Sequence, residues 1–131
     1  DTGTKIDISY DCSVFISAID INACRKALAK AGLTVADMDL IEANEAFAAQ
    51  ALGCVKLLSE KYGVSEDEIL KMTNLYGSGL GLGHPLGATG ARIVVTLAHL
   101  LKNRSEGRGV ASLCIGGGMG AAVMLERSGN Q

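Results

Sequence analysis

His84 stands in a glycine-rich segment whose residue types suit proton transfer. The segment contains Gly83-His84-Pro85 and further glycines on both sides, and a helix is predicted to start a few residues later. Proline biases the preceding residue toward extended backbone geometry, and glycines let other groups approach the imidazole closely. Since imidazole exchanges protons near neutral pH, His84 is a candidate general base. The alternative is a histidine that only bonds the backbone of its own loop.

Cys114 is the second candidate, at the end of a predicted buried strand. Gly116, Gly117 and Gly118 follow it, and successive glycines can aim backbone N–H groups at one point, as stabilisation of an oxyanion requires. The competing interpretation is a small core side chain followed by a tight hairpin turn.

Asn44 opens the run NEAFA, where a predicted strand meets a predicted helix. Its side chain either caps that helix or fixes a water or a substrate oxygen at the carboxyl edge of the sheet, where sites of α/β proteins gather. Because Asn44, His84 and Cys114 each fall on a strand-end loop, one shared site is favoured over three separate ones. One functional interpretation is a hydrolase with Cys114 as nucleophile, His84 as base and Asn44 as its orienting residue.

Hydrophobic periodicity predicts the elements that position these residues. Apolar positions three and four apart predict a helix from near Ile21 to a stop at Gly32, and a Ser-x-x-Glu capping box predicts a short helix after Ser65. The other predicted elements are a strand at 40–43, a helix at 45–62 that stops at Gly63, a helix after residue 87, and a hairpin of strands 109–114 and 119–126. This order predicts an α/β domain.

Composition excludes several classes of protein. A net charge of −2 and 48% hydrophobic residues in a chain of 131 argue against disorder and against a nucleic-acid partner. The uncharged run 109–125 contains five glycines, so it is interpreted as a buried strand pair rather than as a membrane span. The four cysteines show no C-x-x-C spacing, which favours a reducing, cytoplasmic compartment.

Three segments together resemble the thiolase family, in particular the C-terminal half of acetyl-CoA acetyltransferases. They are NEAFA from Asn44, GHPLG from Gly83 with Gly90 and Arg92 after it, and CIGGGMG from Cys114. The segments match the family in order and in kind. One such motif would be weak evidence, whereas three in sequence order rarely arise by accident.

The resemblance implies one of two similar α/β halves, with a mixed sheet and helices on both faces. Residues 19–131 are accordingly predicted to be the thiolase C-terminal domain, and residues 1–18 an unassigned N-terminal segment. The family's Asn-x-Asn-Gly-Gly before the histidine motif is replaced by NLYGS, which begins at Asn74, so the packing of that loop is left open.

The resemblance also implies a role for each candidate. A cysteine of the first half, which this chain is not expected to contain, attacks an acyl-CoA. His84 activates that cysteine and helps to bind the thioester oxygen, and Asn44 orients the water that completes this oxyanion hole. Cys114 is the acid/base that moves the substrate α-proton, and the Gly116 N–H contributes to a second hole. Two positions beside the bound arm of coenzyme A complete the set: Ala46 and Phe47.

The activity that the resemblance implies is that of an acetyl-CoA C-acetyltransferase of fatty acid metabolism, which condenses two acetyl-CoA into acetoacetyl-CoA and CoA or runs the reverse thiolysis. Coenzyme A thioesters are its substrates, and neither a cofactor nor a metal is expected. The expected partners are the N-terminal thiolase half and further copies of the full-length enzyme, and this chain alone is expected to be inactive. Alternatives are a 3-ketoacyl-CoA thiolase of broader chain length, the Cys-His-Asn hydrolase, and a non-catalytic domain for CoA binding or assembly.

Overall fold

The computed structural model describes residues 6–8, 14–16, 19–117 and 119–128. In chain order the elements are β1 (Ile6–Ile8), β2 (Val14–Ile16), α1 (Ile19–Ala31), a 3-10 turn (Val35–Asp37), β3 (Leu40–Ala43), α2 (Ala48–Tyr62), α3 (Glu66–Met72), α4 (Gly79–Leu82), α5 (Thr89–Lys102), β4 (Gly107–Gly116) and β5 (Met119–Arg127). From α1 onward, helix, strand, several helices and a strand pair follow one another, the α/β order predicted from the sequence.

The central sheet has the strand order β3–β4–β5. β3 runs parallel to β4, and β5 returns antiparallel to β4 with Cys114 opposite Gly120. Thr73 continues the sheet beyond β3 through a parallel bridge to Ile41. Parallel neighbours need a crossover connection, which α2 to α5 supply between β3 and β4. The predicted mixed sheet and the predicted hairpin are both confirmed.

Helices cover both faces of this sheet, as the resemblance implied. A buried cluster on one face joins α1, α2 and α3 to the strands and includes Leu28, Leu58, Ile69 and Val110. A second cluster on the other face joins α5 to the strands and contains Leu40, Ile93, Leu97, Leu100, Leu101 and Ala111. The division follows from the alternation of side chains along a strand, since Val110 and Ala111 are adjacent in β4 and belong to opposite clusters.

The predicted helix stops and the capping box are confirmed. Gly32 and Gly63 each have a φ of 70°, the left-handed geometry that closes a helix. The Ser65 N–H donates to Glu68 Oε2 at 3.1 Å, and the Glu68 N–H donates to Ser65 Oγ at 3.3 Å, so α3 begins as predicted.

The predicted start of α2 is wrong. The helix begins at Ala48 rather than at residue 45, and its capping interaction is a bond from the Phe47 N–H to Gln50 Oε1 at 3.4 Å. Asn44 therefore does not cap it; the Asn44 carbonyl oxygen instead accepts the Ala46 N–H at 3.0 Å in a tight turn after β3. The glycine-rich segment before His84, for which no helix was predicted, contains the single turn α4.

Residues 1–18 contribute β1 and β2, which pair antiparallel with Ile6 opposite Ile16. The remainder of that segment lies outside the described residues, as does Gly118 of the predicted turn. In the part of the chain that the structure describes, no helix combines the length and the apolar character needed to cross a membrane.

Candidate active site

The carboxyl ends of β3 and β4 meet at one edge of the sheet, which we call the carboxyl edge. Ala43 lies opposite Ser112 across the parallel pair, and the Asn44 N–H donates to the Ser112 carbonyl oxygen at 2.9 Å. The start of α5 reaches the same edge, since a Cβ added at Gly90 would lie 4.0 Å from Leu113 Cδ1. This edge therefore collects the loop after β3, the end of β4 and the loop before α5, which carry all three predicted catalytic side chains.

The Asn44 side chain is buried at this edge without a partner. It is 1% exposed, and neither Oδ1 nor Nδ2 forms a hydrogen bond with any described residue. Gly79 approaches so closely that a Cβ there would lie 2.9 Å from Asn44 Oδ1 and 2.9 Å from the Glu45 carbonyl oxygen. Buried polar groups are normally hydrogen-bonded, so this amide has the capacity to hold a water or a substrate oxygen.

Asn74 anchors the loop before α4, a role that sequence reasoning missed. Its Oδ1 accepts the Ala43 N–H at 2.8 Å, and its Nδ2 donates to the Ala43 carbonyl oxygen at 2.9 Å and to Glu45 Oε1 at 3.0 Å. Ser78 Oγ adds a bond to the same carbonyl at 2.9 Å. The only available signal was that Asn74 is the first residue of NLYGS, the segment that departs from the family pattern. The departure leaves the loop well anchored.

His84 is exposed in the loop between α4 and α5. Its Nδ1 lies 2.7 Å from Thr89 Oγ1, and the Thr89 hydroxyl in turn donates to the Pro85 carbonyl oxygen at 3.1 Å. Thr89 is the first residue of α5 and is fully buried. The imidazole is thus held through one nitrogen by a side chain rather than by the backbone of its own loop, and Nε2 bonds no described residue.

Cys114 is half-buried near the end of β4, and strand alternation places it on the same face of the sheet as Ser112. The ladder with β5 shifts register between Cys114 and Gly116. Gly116 and Gly117 have φ values of 87° and 59°, a region that favours glycine. The glycines therefore make a hairpin turn, and the bulge interrupts the ladder directly after the thiol.

The two positions predicted beside coenzyme A lie at the start of α2. Ala46 is half-buried, whereas Phe47 is 68% exposed. Beneath α2, between this helix, α3 and the sheet, lies a cavity of about 330 Å³ whose lining includes Asn44 and Ser112 but neither His84 nor Cys114. The loops with the predicted catalytic side chains thus lie at one edge of the sheet, but of Asn44, His84 and Cys114 only Asn44 lines this cavity.

Glu42 in β3 is a buried carboxylate that was not among the predicted site residues. It is 2% exposed, and its Oε1 has no partner among the described residues; the Nε and Nη2 of Arg92, in the first turn of α5, are likewise buried and unpaired. Burial raises the pKa of the Glu42 carboxyl to about 7, opposed by the nearby Arg92 guanidinium and aided by the Glu45 carboxylate. The available signal was one acidic residue in the otherwise apolar strand LIEA.

Comparison with known proteins shows which family this chain resembles. The family model for the thiolase C-terminal domain matches residues 8–127. An acetyl-CoA acetyltransferase of Chromobacterium violaceum is 53% identical over 107 residues, which are 82% of this chain and 25% of that protein. The chain therefore spans about a quarter of the length of the curated relatives it matches.

Two solved structures show the same fold. The peroxisomal 3-ketoacyl-CoA thiolase of Saccharomyces cerevisiae, a five-layered α-β-α-β-α structure with two core domains of identical topology, is 43% identical with a TM-score of 0.69, over 83% of this chain and 29% of that one. The Acat5 thiolase of Ascaris suum, solved in complex with coenzyme A, is 40% identical with a TM-score of 0.69, over 81% of this chain and 25% of that one.

Proposed function

This chain belongs to the thiolase family, as its C-terminal domain, and from that premise we propose that it supplies part of the active site of an acyltransferase acting on coenzyme A thioesters. The proposed reaction is the condensation of two acetyl-CoA into acetoacetyl-CoA and CoA, or the reverse thiolysis. The supporting observation is that the loops carrying Asn44 and His84 and the β4 end carrying Cys114 meet at one carboxyl edge.

In the first half-reaction the nucleophile is a cysteine that we assign to the N-terminal half of the enzyme. Its sulfur attacks the carbonyl carbon of the first acetyl-CoA, and the carbon–sulfur bond to CoA breaks. His84 takes the proton from the attacking thiol and passes it to the departing CoA sulfur. The availability of Nε2 supports this role, since the Thr89 hydroxyl bonds Nδ1 and no described residue bonds Nε2.

In the second half-reaction the Cys114 thiolate removes an α-proton from the second acetyl-CoA. The resulting enolate carbon attacks the acyl-enzyme carbonyl, the bond to the nucleophilic cysteine breaks, and acetoacetyl-CoA leaves. The proton gained by Cys114 passes to solvent, and a solvent proton returns through His84 to the released thiolate of the nucleophilic cysteine. In thiolysis both protons travel the opposite way. Half-burial near the end of β4 supports this role, because the residue remains partly accessible at the carboxyl edge.

Developing negative charge on each thioester oxygen needs positioned donors. To the hole that binds a substrate thioester oxygen we assign His84 together with a water oriented by Asn44, whose unpaired amide supports the assignment. To a second hole we assign the Gly116 N–H, next to the interruption of the β4–β5 ladder. Removing one such donor typically slows an enzyme by about 10²- to 10³-fold.

Coenzyme A enters this scheme as part of the substrate, and no further cofactor or metal takes part. We assign its arm to the surface beside Ala46 and the exposed Phe47 ring. The complex of the Ascaris suum thiolase with coenzyme A supports a CoA-binding function for the family.

Relatives named for acetyl-CoA acetyltransferase and for 3-ketoacyl-CoA thiolase activity both resemble this chain, which supports two candidate substrate classes. We favour the acetyl-specific enzyme. The deciding assay compares kcat/KM for acetoacetyl-CoA with that for a long-chain 3-ketoacyl-CoA in an enzyme that joins this chain to a thiolase N-terminal half, here called the two-half enzyme. Preference for the long chain would favour the 3-ketoacyl-CoA thiolase.

We propose that the active protein is a cytoplasmic homo-oligomer of two-half chains that serves fatty acid metabolism. These 131 residues alone are then expected to cleave no acetoacetyl-CoA, because the proposed nucleophile is not among them. Absorbance of the acetoacetyl-CoA enolate follows the reaction directly. Turnover by the purified chain would contradict the assignment of the nucleophile to the other half.

The assigned roles predict large rate losses from two single substitutions. In the two-half enzyme, His84→Ala and Cys114→Ala should each lower kcat by about 10²-fold or more, because each removes a proton-transfer group. His99→Ala and Cys54→Ala are the matched controls, since they remove the same groups elsewhere on α5 and α2. Near-normal rates in both site variants would refute the assignments.

Mass spectrometry separates this scheme from the alternatives. After incubation of the two-half enzyme with acetyl-CoA, the acetyl group should be found on a cysteine of the N-terminal half. An acetyl group on Cys114 would instead support the Cys-His-Asn hydrolase. Binding of CoA measured by calorimetry without any turnover would support a non-catalytic domain.

A further inference from the structure

We propose that Thr89 is a positioning residue that sets the tautomer of His84, keeping the ring proton on Nδ1 and leaving Nε2 as the basic nitrogen. Thr89 Oγ1 lies 2.7 Å from His84 Nδ1 and 3.1 Å from the Pro85 carbonyl oxygen. The catalytic consequence rests on the proposed function, whereas the tautomer is a property of the chain itself.

A count of protons gives the direction of these bonds. The Thr89 hydroxyl has one proton, and the Pro85 carbonyl oxygen can only accept. Both contacts are hydrogen bonds at once only if the hydroxyl proton points to Pro85, in which case His84 Nδ1 must carry the proton that bonds Thr89 Oγ1. The opposite arrangement leaves two oxygen acceptors 3.1 Å apart with no proton between them.

Thr89 can impose this choice because it is rigid, whereas His84 is exposed. Thr89 is fully buried as the first residue of α5, and its own N–H donates to the Pro85 carbonyl oxygen at 2.9 Å. A β-branched side chain in a helix has few accessible χ1 rotamers. An imidazole without such a partner exchanges between its two neutral tautomers and rotates freely.

The tautomer determines what the ring can do. With the proton on Nδ1, Nε2 keeps its lone pair and bonds no described residue, so it can take a proton from a thiol. Once protonated, Nε2 becomes a hydrogen-bond donor to an oxyanion. A ring held in the other tautomer would present an N–H there and could not act as the base.

The tautomer can be observed directly in the full chain. Long-range proton–nitrogen correlation spectra of the ¹⁵N-labelled chain, at about pH 8 where imidazole is ordinarily neutral, distinguish a protonated from an unprotonated ring nitrogen. His99, exposed in the last turn of α5, is the internal reference, and a His99→Gln sample assigns the signals. We expect His84 to show a protonated Nδ1 and an unprotonated Nε2.

Two substitutions of Thr89 separate its hydroxyl from its shape. Thr89→Val keeps the branched side chain and removes the hydroxyl, so His84 should lose its Nδ1–H preference. Thr89→Ser keeps the hydroxyl and should retain it. A wild-type His84 protonated on Nε2, or a Thr89→Val spectrum unchanged at His84, would overturn the proposal. Should Thr89→Val disturb the His99 signals and the fold, the wild-type and Thr89→Ser spectra still decide.

Kinetics of the two-half enzyme test the catalytic consequence separately. Thr89→Val should lower kcat by about tenfold or more with little change in KM, and Thr89→Ser should restore the rate. A fall in rate without a change in the His84 spectrum would refute the tautomer role. If the spectrum changes as expected but His84→Ala keeps full activity, the proposed function fails while the role of Thr89 stands.

Discussion

The two ends of the central sheet differ in the burial of their polar side chains and in whether these side chains have hydrogen-bond partners. At the end where β4 begins, Asp39 accepts bonds from Arg104 Nη1 at 3.1 Å and from the Arg108 N–H at 2.9 Å, and Arg108 Nε bonds Glu126 at 2.8 Å. Arg127 reaches the carbonyl oxygens at the end of α5. These charges lie partly in solvent and have partners.

At the carboxyl edge Asn74, Ser78 and Thr89 also have partners, but other polar groups there are deeply buried without one. The buried side-chain atoms without a hydrogen bond in the described chain belong to three residues there: Glu42, Asn44 and Arg92. An unpaired buried polar atom costs stability, so natural proteins keep such groups mainly where they serve a site. The contrast supports stabilisation at one end of the sheet and ligand binding at the other.

The largest expected effect concerns Glu42. Its carboxyl has a folded-state pKa of about 7 against an ordinary 4.5, so between these values the folded chain binds more protons than the unfolded chain. Proton binding by Glu42 therefore stabilises the folded chain fully below about pH 4.5. As the pH rises through 7 this stabilisation is lost, and the free energy of unfolding falls by about 3 kcal/mol at most. Urea unfolding of wild type and Glu42→Gln at about pH 5 and about pH 8 measures it.

Glutamine resembles the protonated carboxyl, so the two proteins should be similarly stable at the lower pH and Glu42→Gln the more stable at the higher one. The carboxyls of Asp37 and Glu68 do not interfere, because hydrogen bonds from Thr34 and Ser65 hold their pKa values below the ordinary ones. If the free energy of unfolding depended on pH equally in wild type and variant, the pKa of Glu42 would not be raised in the folded chain.

Two alanine substitutions, one at each end of the sheet, should have intermediate effects of different sign on the free energy of unfolding. Asp39→Ala removes paired bonds and should lower the free energy of unfolding by about 1 kcal/mol. Asn44→Ala removes an amide that has no partner, so the same quantity should stay equal or rise by about 1 kcal/mol. Urea unfolding at one pH measures both variants. Equal losses from the two substitutions would remove the contrast between the ends.

The smallest effect is expected for the exposed pair of Arg108 and Glu126. Their side chains are 43% and 55% exposed, and exposed ion pairs contribute little. Glu126→Gln should change the free energy of unfolding by less than about 0.5 kcal/mol, and the change should shrink in high salt. A salt-independent loss above about 1 kcal/mol would mean that this pair is part of a larger network.

Local signals predicted much of the fold. The stops at Gly32 and Gly63 and the box of Ser65 and Glu68 involve contacts within a few residues, so the sequence states them directly. The start of α2 was misplaced because the asparagine that follows β3 resembles a helix cap, while the bond actually made joins Phe47 to Gln50.

The bonds that shape the site were less predictable. Asn74 bonds Ala43, 31 residues earlier in the chain, and no periodic pattern indicates such a pair. Glu42 is an ordinary acidic residue until folding removes it from water. Sequence patterns report which residue types occur at which spacing, whereas burial and long-range bonds depend on how the elements pack.

By itself, the sequence determined the set of groups and their order: an asparagine, a histidine and a cysteine in three motifs of the thiolase family, in a chain that combines strands and helices in an α/β order. Only the tertiary structure decided that these motifs share one sheet edge, that the amide of Asn44 has no partner, and that Thr89 bonds Nδ1 of His84. The physical reason is that the covalent chain alone fixes which residues make up a motif. Which groups are buried and where their protons lie depends on contacts that form only on folding.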